Sequence, residues 1–422
     1  MPAGFRAYGL VLADPAARSF TAAGFLARLP LSMSGIGIVL LVSLTTGSFG
    51  RAGLITAVST LTGAVTAPAW GRLIDRVGQA VVLLTAAAIA GVGTTVLIIS
   101  VLLGWPLPVS LAAAAVVGLG FSSAGSCVRA RWTYRLRDPA LLDTAFAVEA
   151  VLDEVIFIVG PVLVTFLATA VHPALGVGVS GALGLVGAVL LALQRSTQPP
   201  VRPAGDRQPR GRLPVGILLP VAVACAALGA VFGGMEVVVV AFAREKGVLP
   251  YAGALLMAWA FGSLVAGVVT GTIRWRAAAA TRFRIGAVLL ACSLAPLPFV
   301  TDPFLLAGLL LVSGVAIAPT LIASVGVTQA AVDKARLTEA LAWSSTGLAA
   351  GVATGAAVLG HLIDSSGSRA GFVGVVGAGV ALIVAALFVR VRVVRVQAEP
   401  TITPGTADTP ATGPGHRPAQ SP

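Results

Sequence analysis

Charge is scarce in this chain. Asp, Glu, Lys and Arg together make up 10% of its 422 residues, against about 25% in a soluble globular domain. Cysteine is scarcer still: Cys127, Cys225 and Cys292 stand singly in or at the end of apolar runs. That excludes a disulfide framework and a zinc cluster as the organising principle. His172, His361 and His416 have no partner spacing for a metal or for catalysis. No Gly-x-x-x-x-Gly-Lys-[Ser/Thr] loop occurs, which argues against an ATP-driven pump. The metal-hydrolase motif and the Gly-x-Ser-x-Gly elbow are missing too, so the sequence is not expected to encode an enzyme. No cofactor is expected. The N-terminus lacks a signal-peptide pattern with a small-residue cleavage site, so the first apolar run is expected to stay in the mature protein.

What the chain has in abundance is apolar surface. Hydrophobic residues make up 57% of it, above the about 45–50% of soluble domains. The surplus calls for lipid rather than a larger core. The net charge of +12 would suggest nucleic acid in a soluble protein. Here the Arg residues sit between hydrophobic runs, so no nucleic-acid partner is expected.

A spanning helix needs about 20 mostly apolar residues. Twelve runs meet that need: 19–44, 52–70, 79–103, 108–127, 144–170 and 173–193, then 214–241, 251–273, 283–300, 304–326, 337–360 and 371–389. The Pro- and Arg-rich stretch 194–213 divides them six and six. The expected architecture is an all-α membrane protein of twelve transmembrane helices in two pseudo-symmetric bundles, 19–193 and 214–389. An N-terminal segment (1–18), the linker (194–213) and a disordered tail (390–422) flank them. Basic residues orient the whole. Of the 28 Lys and Arg, only Arg51, Arg244, Lys246 and Arg369 fall in the loops on one side, and Arg28 lies inside the first run. The other side, with both termini and the linker, is therefore expected to be cytoplasmic, in a plasma membrane.

The halves read as a repeat. Gly71-Arg-Leu-Ile-Asp75-Arg76 follows the second run, and Gly271-Thr-Ile-Arg-Trp275-Arg276 follows the eighth. Asp143-Thr-Ala-Phe-Ala147 opens the fifth run as Thr338-Glu-Ala-Leu-Ala342 opens the eleventh, a register that sets Gly160 opposite Gly355. Parallel halves of this kind carry a substrate site between them near the midplane.

The stretch Ala69-Trp70-Gly71-Arg72-Leu73-Ile74-Asp75-Arg76-Val77-Gly78 resembles the loop between the second and third helices of the major facilitator superfamily. Gly71, Asp75, Arg76 and Gly78 match its Gly-x-x-x-Asp-Arg-x-Gly pattern. Gln79 and Ala80 replace the usual basic pair, and Trp275 replaces the Asp of the second copy. The resemblance implies a gating role: Asp75 facing a helix N-terminus, Arg76 pairing locally, the glycines permitting a tight turn. An ordinary solvated turn is the plainer reading. Gly160-Pro161 in the fifth run resembles an element of bacterial drug and metabolite:proton antiporters, without the longer Gly-rich pattern around it. A generic transmembrane Gly-Pro bend accounts for it equally.

Charges at bilayer depth cost roughly 2.5–3.5 kcal/mol each on insertion scales, so they are paired or functional. The fifth run holds Glu149, Asp153 and Glu154. The first two share a face at i,i+4, and Glu154 points about 100° away from Asp153. Arg28 in the first run lies at the same depth, which makes Asp153 or Glu154 its expected partner. The second half puts Ser344, Leu348 and Ala349 in the places of these acids. The fold does not demand them, which favours proton coupling or substrate contact; a buried lock between the first and fifth helices is the alternative. Glu236 in the seventh run stands opposite Ser34 of the first. It either binds a proton or cationic group or sits at the outer water boundary. Glu339 suits the N-terminus of the eleventh helix, and Gly351-Val-Ala-Thr-Gly355 reads as close helix packing.

The family resemblance implies a secondary active transporter that exports a small organic compound against protons by alternating access. Its expected partners are that substrate, protons and the bilayer, with no obligate protein partner. Uptake or facilitated passage of a metabolite is the second reading. A non-transporting membrane sensor is the third, disfavoured because linker and tail are too short and polar for a signalling domain.

Overall fold

The computed structural model describes residues 9–121, 124–201, 215–273, 275, 277–332 and 336–389. The expectations for 1–8, most of the linker, Arg274, Arg276, Lys334 and the tail from 390 lie outside these. The described residues form helices and the short connections between them, without strands. Three helices start on the same device, an Asp whose side chain accepts a backbone N–H just ahead, followed by Pro at the first helical position. These are Asp14-Pro15, Asp138-Pro139 and Asp302-Pro303. Asp satisfies an orphan donor there, and Pro gives up an N–H that has no partner in any case.

The spans are α1 (Pro15–Thr46), α2 (Phe49–Val77), α3 (Gln79–Leu102), α4 (Leu107–Arg135), α5 (Pro139–Val171) and α6 (Pro173–Leu193). The second set is α7 (Val215–Glu245), α8 (Ala252–Thr272), α9 (Ala279–Leu294) and α10 (Pro303–Ala331), then one helical stretch, Leu337–Phe388. At ~1.5 Å per residue that stretch is roughly 78 Å long, more than twice a hydrocarbon core. It is two helices. Gly367 breaks it at φ 77° and ψ 178°, a conformation only glycine adopts readily. Beyond the break the chain doubles back, since a Cβ on Gly374 would lie 2.2 Å from the Leu359 side chain. We label 337–366 as α11 and 368–388 as α12. Eleven apolar stretches thus make twelve crossings.

Three spans are interrupted. One is α10, whose first part ends at Gly314 and which resumes at Ile317. Pro30 divides α1 after Arg28 and Leu29. Gly120 ends the first part of α4, and the helix resumes at Ala124 and runs to Arg135. The sequence expectation ended this helix at 127; the continuation carries Arg129, Arg131 and Arg135 out of the expected loop and onto a helix.

The pseudo-repeat is visible in the packing. A Cβ on Gly160 would come within 2.0 Å of Ser32 Oγ on α1, and one on Gly355 within 2.4 Å of Ala230 O on α7. Each glycine is where the fifth helix of its half presses on the first. The α7–α11 contact extends this: Gly347 and Gly351 meet Ala222 O and Ala226 O, while Gly229 and Gly233 meet Leu348 O and Val352 O. Small residues every four positions let two backbones touch, the usual basis of close helix association in lipid.

The halves meet at the end away from the linker, called here the far end. There α2 packs on α11, α5 on α8, and Arg244 of α7 donates to Ser43 O of α1 at 3.0 Å. The close glycine approaches between the halves, Gly53 on Ala356 O, Gly360 on Phe49 O and Gly253 on Pro161 O, fall in the half of the molecule toward the far end. Among the described residues the halves are joined at the far end.

Candidate functional site

Arg28, at the last turn of α1 before Pro30, is 2% exposed and fully engaged. Its Nη2 lies 2.7 Å from Glu149 Oε2, its Nη1 2.7 Å from Asp153 Oδ1, and its Nε donates to Gly24 O at 3.0 Å. Glu149 and Asp153 are one turn apart on α5, so a single guanidinium reaches both. Glu149 is 0% exposed and also accepts from Trp132 Nε1 at 2.9 Å and Thr21 Oγ1 at 3.5 Å. Asp153 sits at the edge of the cluster, and its second oxygen takes Arg129 Nη2 at 2.7 Å. Two cations face two acids, so the cluster is neutral. Phe20 packs edge-on against Trp132 and seals the side next to α1.

Of the two acids expected to meet Arg28, Asp153 does and Glu154 does not. Glu154 is half-buried, with no hydrogen-bond or ion-pair partner among the described residues. It lies seven residues before Pro161 and eleven before Thr165, within ~20° of both on the helix wheel. That stripe faces the other half, since a Cβ on Gly253 of α8 would meet Pro161 O at 2.2 Å and Thr165 Oγ1 at 2.8 Å. Glu236 also lies between halves. Its carboxylate rests on α1, where a Cβ on Gly35 would come within 2.7 Å of Oε2. It too has no partner among the described residues.

The Gly160-Pro161 element is therefore a contact point on two sides, with α1 and with α8. The helix continues through Pro161 to Phe166, and Ser32 Oγ donates to Ile156 O at 2.8 Å beside the gap in the ladder. The stretch 71–77 is helical rather than a loop. Gly71, Asp75 and Arg76 belong to the last turns of α2, and only Gly78 turns the chain, at φ 91°. A side chain at Gly78 would also strike Gln198 Nε2 at 2.6 Å. Asp75 and Arg76 are exposed at the linker end, without a hydrogen-bond or ion-pair partner among the described residues. Glu339 in the first turn of α11 pairs with Arg336 at 3.6 Å. It rims a cleft of about 460 Å³ between α7 and α11, lined by Ala222, Ala226, Trp343, Thr346 and Gly347.

Sequence reasoning missed Arg129, Trp132 and Arg131. Arg131 is 0% exposed and donates to Gln79 Oε1 (2.9 Å), Thr197 Oγ1 (2.7 Å), Gln194 O (3.1 Å) and Leu191 O (2.8 Å). It ties α3, α4 and α6 together at the start of the linker. The signal was available: Ala124, Cys127, Val128, Arg131 and Trp132 recur at helical spacing.

The sequence profile of the Major Facilitator Superfamily matches residues 20–303. No curated protein matches the chain in sequence. Among solved structures, a point mutant of the nucleoside transporter NupG superposes with a TM-score of 0.71 at 14% identity, covering 88% of this chain and 99% of that one. The peptide transporter POT in complex with sulfate gives 0.67 at 14%, covering 89% and 93%. The human organic anion transporter MFSD10 (TETRAN) gives 0.59 at 14%, covering 92% and 100%. At such identities the likeness is one of fold.

Proposed function

The chain belongs to the Major Facilitator Superfamily, and is thus a multi-pass membrane transporter; from that premise we propose that it exports a small organic compound in exchange for protons by alternating access. The observation that carries this reading is the position of Asp153. It is the one member of the Arg28 cluster that combines a buried cation partner with partial exposure, 31% against 0% for Glu149. A neighbouring cation favours an ionised carboxylate, and loss of that contact in a dry site favours the acid. Movement of α1 and α4 against α5 would alternate those conditions at Asp153. Glu154 and Glu236, on the faces where the halves meet, are the charges a proton or a cationic group would neutralise on the way across. The linker end, rich in Arg, is the cytoplasmic side of a plasma membrane on this reading. The apolar lining beside α7 and α11 suits a largely apolar compound.

The test uses purified protein in proteoliposomes, a pH-sensitive dye inside and a panel of organic compounds. Wild type should move protons with a subset of them. Asp153→Asn should lose proton-driven accumulation and keep substrate exchange. Full coupling in Asp153→Asn would remove this role from the residue. Transport without any proton movement in wild type would remove the exchange mechanism.

A further inference from the structure

At the far end one carboxylate crosses from the second half to the first. Asp364, near the end of α11 in the second half, reaches the start of α2 in the first. Its Oδ2 accepts Ser48 Oγ at 2.6 Å and Gly50 N at 2.9 Å, and its Oδ1 accepts Phe49 N at 2.7 Å. Ser48 Oγ in turn accepts Arg51 N at 3.1 Å. The first N–H groups of a helix have no partner within it and carry its positive partial charge. In α2 these groups are served by Ser48 and by a carboxylate from the opposite half. The backbones are pressed together around it. A Cβ on Gly53 would lie 2.0 Å from Ala356 O, and one on Gly360 2.4 Å from Phe49 O.

The pseudo-symmetric crossing lacks such a contact. Where α5 meets α8, Gly253 rests on Pro161 O and Thr165, and no carboxylate or ion pair bridges the two helices among the described residues. The fold therefore closes one crossing by packing alone, and the carboxylate at the other is an addition to it. Asp302 at this end caps α10 within its own half, accepting Leu305 N at 2.8 Å, and Glu245 likewise accepts Ser368 N at 2.7 Å, capping α12. They cannot hold the halves together.

We propose that Asp364 is the latch of the far-end gate: its bonds to the N-terminus of α2 hold the present state, and their rupture is required for the far end to open. Opening sends Phe49 N, Gly50 N and the carboxylate to water, so the latch sets the balance between the two access states without touching the substrate. The proposal is independent of what is carried and of whether protons drive it.

Spin-label distances in reconstituted, cysteine-free protein test it. One label pair, Trp105→Cys with Phe304→Cys, reports the far end from the two halves. A second, Arg72→Cys with Trp275→Cys, reports the linker end. Asp364→Asn, which removes the charge and keeps the size, should raise the ratio of far-end-open to far-end-closed molecules about tenfold, the scale of one charged hydrogen bond. The linker-end distance should shorten in the same molecules. Glu245→Gln should leave both distributions as in wild type. Unchanged distributions in folded Asp364→Asn would overturn the latch. So would a far-end change without the reciprocal closure, because that is local fraying.

Discussion

At the scale of single residues, the cluster around Arg28 is the most tightly constrained feature of the interior. Buried ion pairs are poor sources of net stability, because desolvation offsets most of the attraction, yet breaking one is costly. Glu149 shows why. Its carboxylate is fully buried, and Arg28, Trp132 and Thr21 satisfy it together. Arg28→Gln should leave that carboxylate uncompensated and destabilise the protein by about 3–5 kcal/mol, read as a lowered melting temperature in detergent. Arg28→Gln with Glu149→Gln should recover most of the loss. If the double variant melts no higher than Arg28→Gln alone, the pair is not the source of the cost. Arg131 is a different case. It is buried with no acid beside it and satisfied by a side-chain amide, a hydroxyl and two carbonyls. Its role is structural, fixing where α6 ends and the linker begins.

At the scale of elements, α7 and α11 are joined backbone to backbone. Lipid tails give no hydrophobic drive between helices, so contact depends on small residues. A Cβ on Gly351 would come to 1.8 Å from Ala226 O, and a carbonyl cannot rotate aside as a side chain does. Gly351→Leu should therefore force the helices apart. We expect a destabilisation of at least the ~1–3 kcal/mol usual for overpacking, with loss of monodisperse protein on size-exclusion chromatography. Gly377 offers a control, since nothing lies within 4 Å of its Cβ position; Gly377→Ala should behave as wild type. Equal behaviour of Gly351→Leu and Gly377→Ala would mean that the close contact does not govern assembly.

At the scale of the whole molecule, the Gly367 reversal decides the topology. A straight Leu337–Phe388 helix would cross once and leave Phe388 at the end opposite Leu337. The doubled-back chain crosses twice and returns Val389 to the start of α9, where its carbonyl accepts Arg284 Nη2 at 2.7 Å. Ser196 and Ser366 are exposed and lie at opposite ends of the bundle. Single cysteines there, in a cysteine-free background, should react with an impermeant maleimide from opposite faces of sealed vesicles. Reaction from the same face would remove the twelve-crossing arrangement.

Crossings, halves and depth of charge were legible in the sequence. Each follows from local rules: some twenty apolar residues per span, basic residues collected on one side, a fixed rise per residue that sets Arg28 level with Asp153. The matched glycines at 160 and 355 were legible as well, because only the smallest residue fits where backbones touch. What the sequence could not decide is which side chains meet between elements far apart in the chain. It offered Asp153 and Glu154 alike as partners of Arg28. The rotation of α5 against α1, set by Gly160 seated on Ser32, turned Asp153 and Glu149 inward and left Glu154 on the face toward α8. It put Arg129 and Trp132 in a loop, since an apolar-run criterion stops at the first Arg. Helix 4 continues because Cys127, Val128 and Trp132 keep a buried stripe against α1. It gave Asp364 no role, because an acid beside a loop reads as solvated until the opposite half brings a helix N-terminus within 3 Å of it. Local composition determined that this chain lies in a membrane and how often it crosses; only tertiary packing decided which charges pair, because those contacts depend on helix rotations that no residue encodes alone.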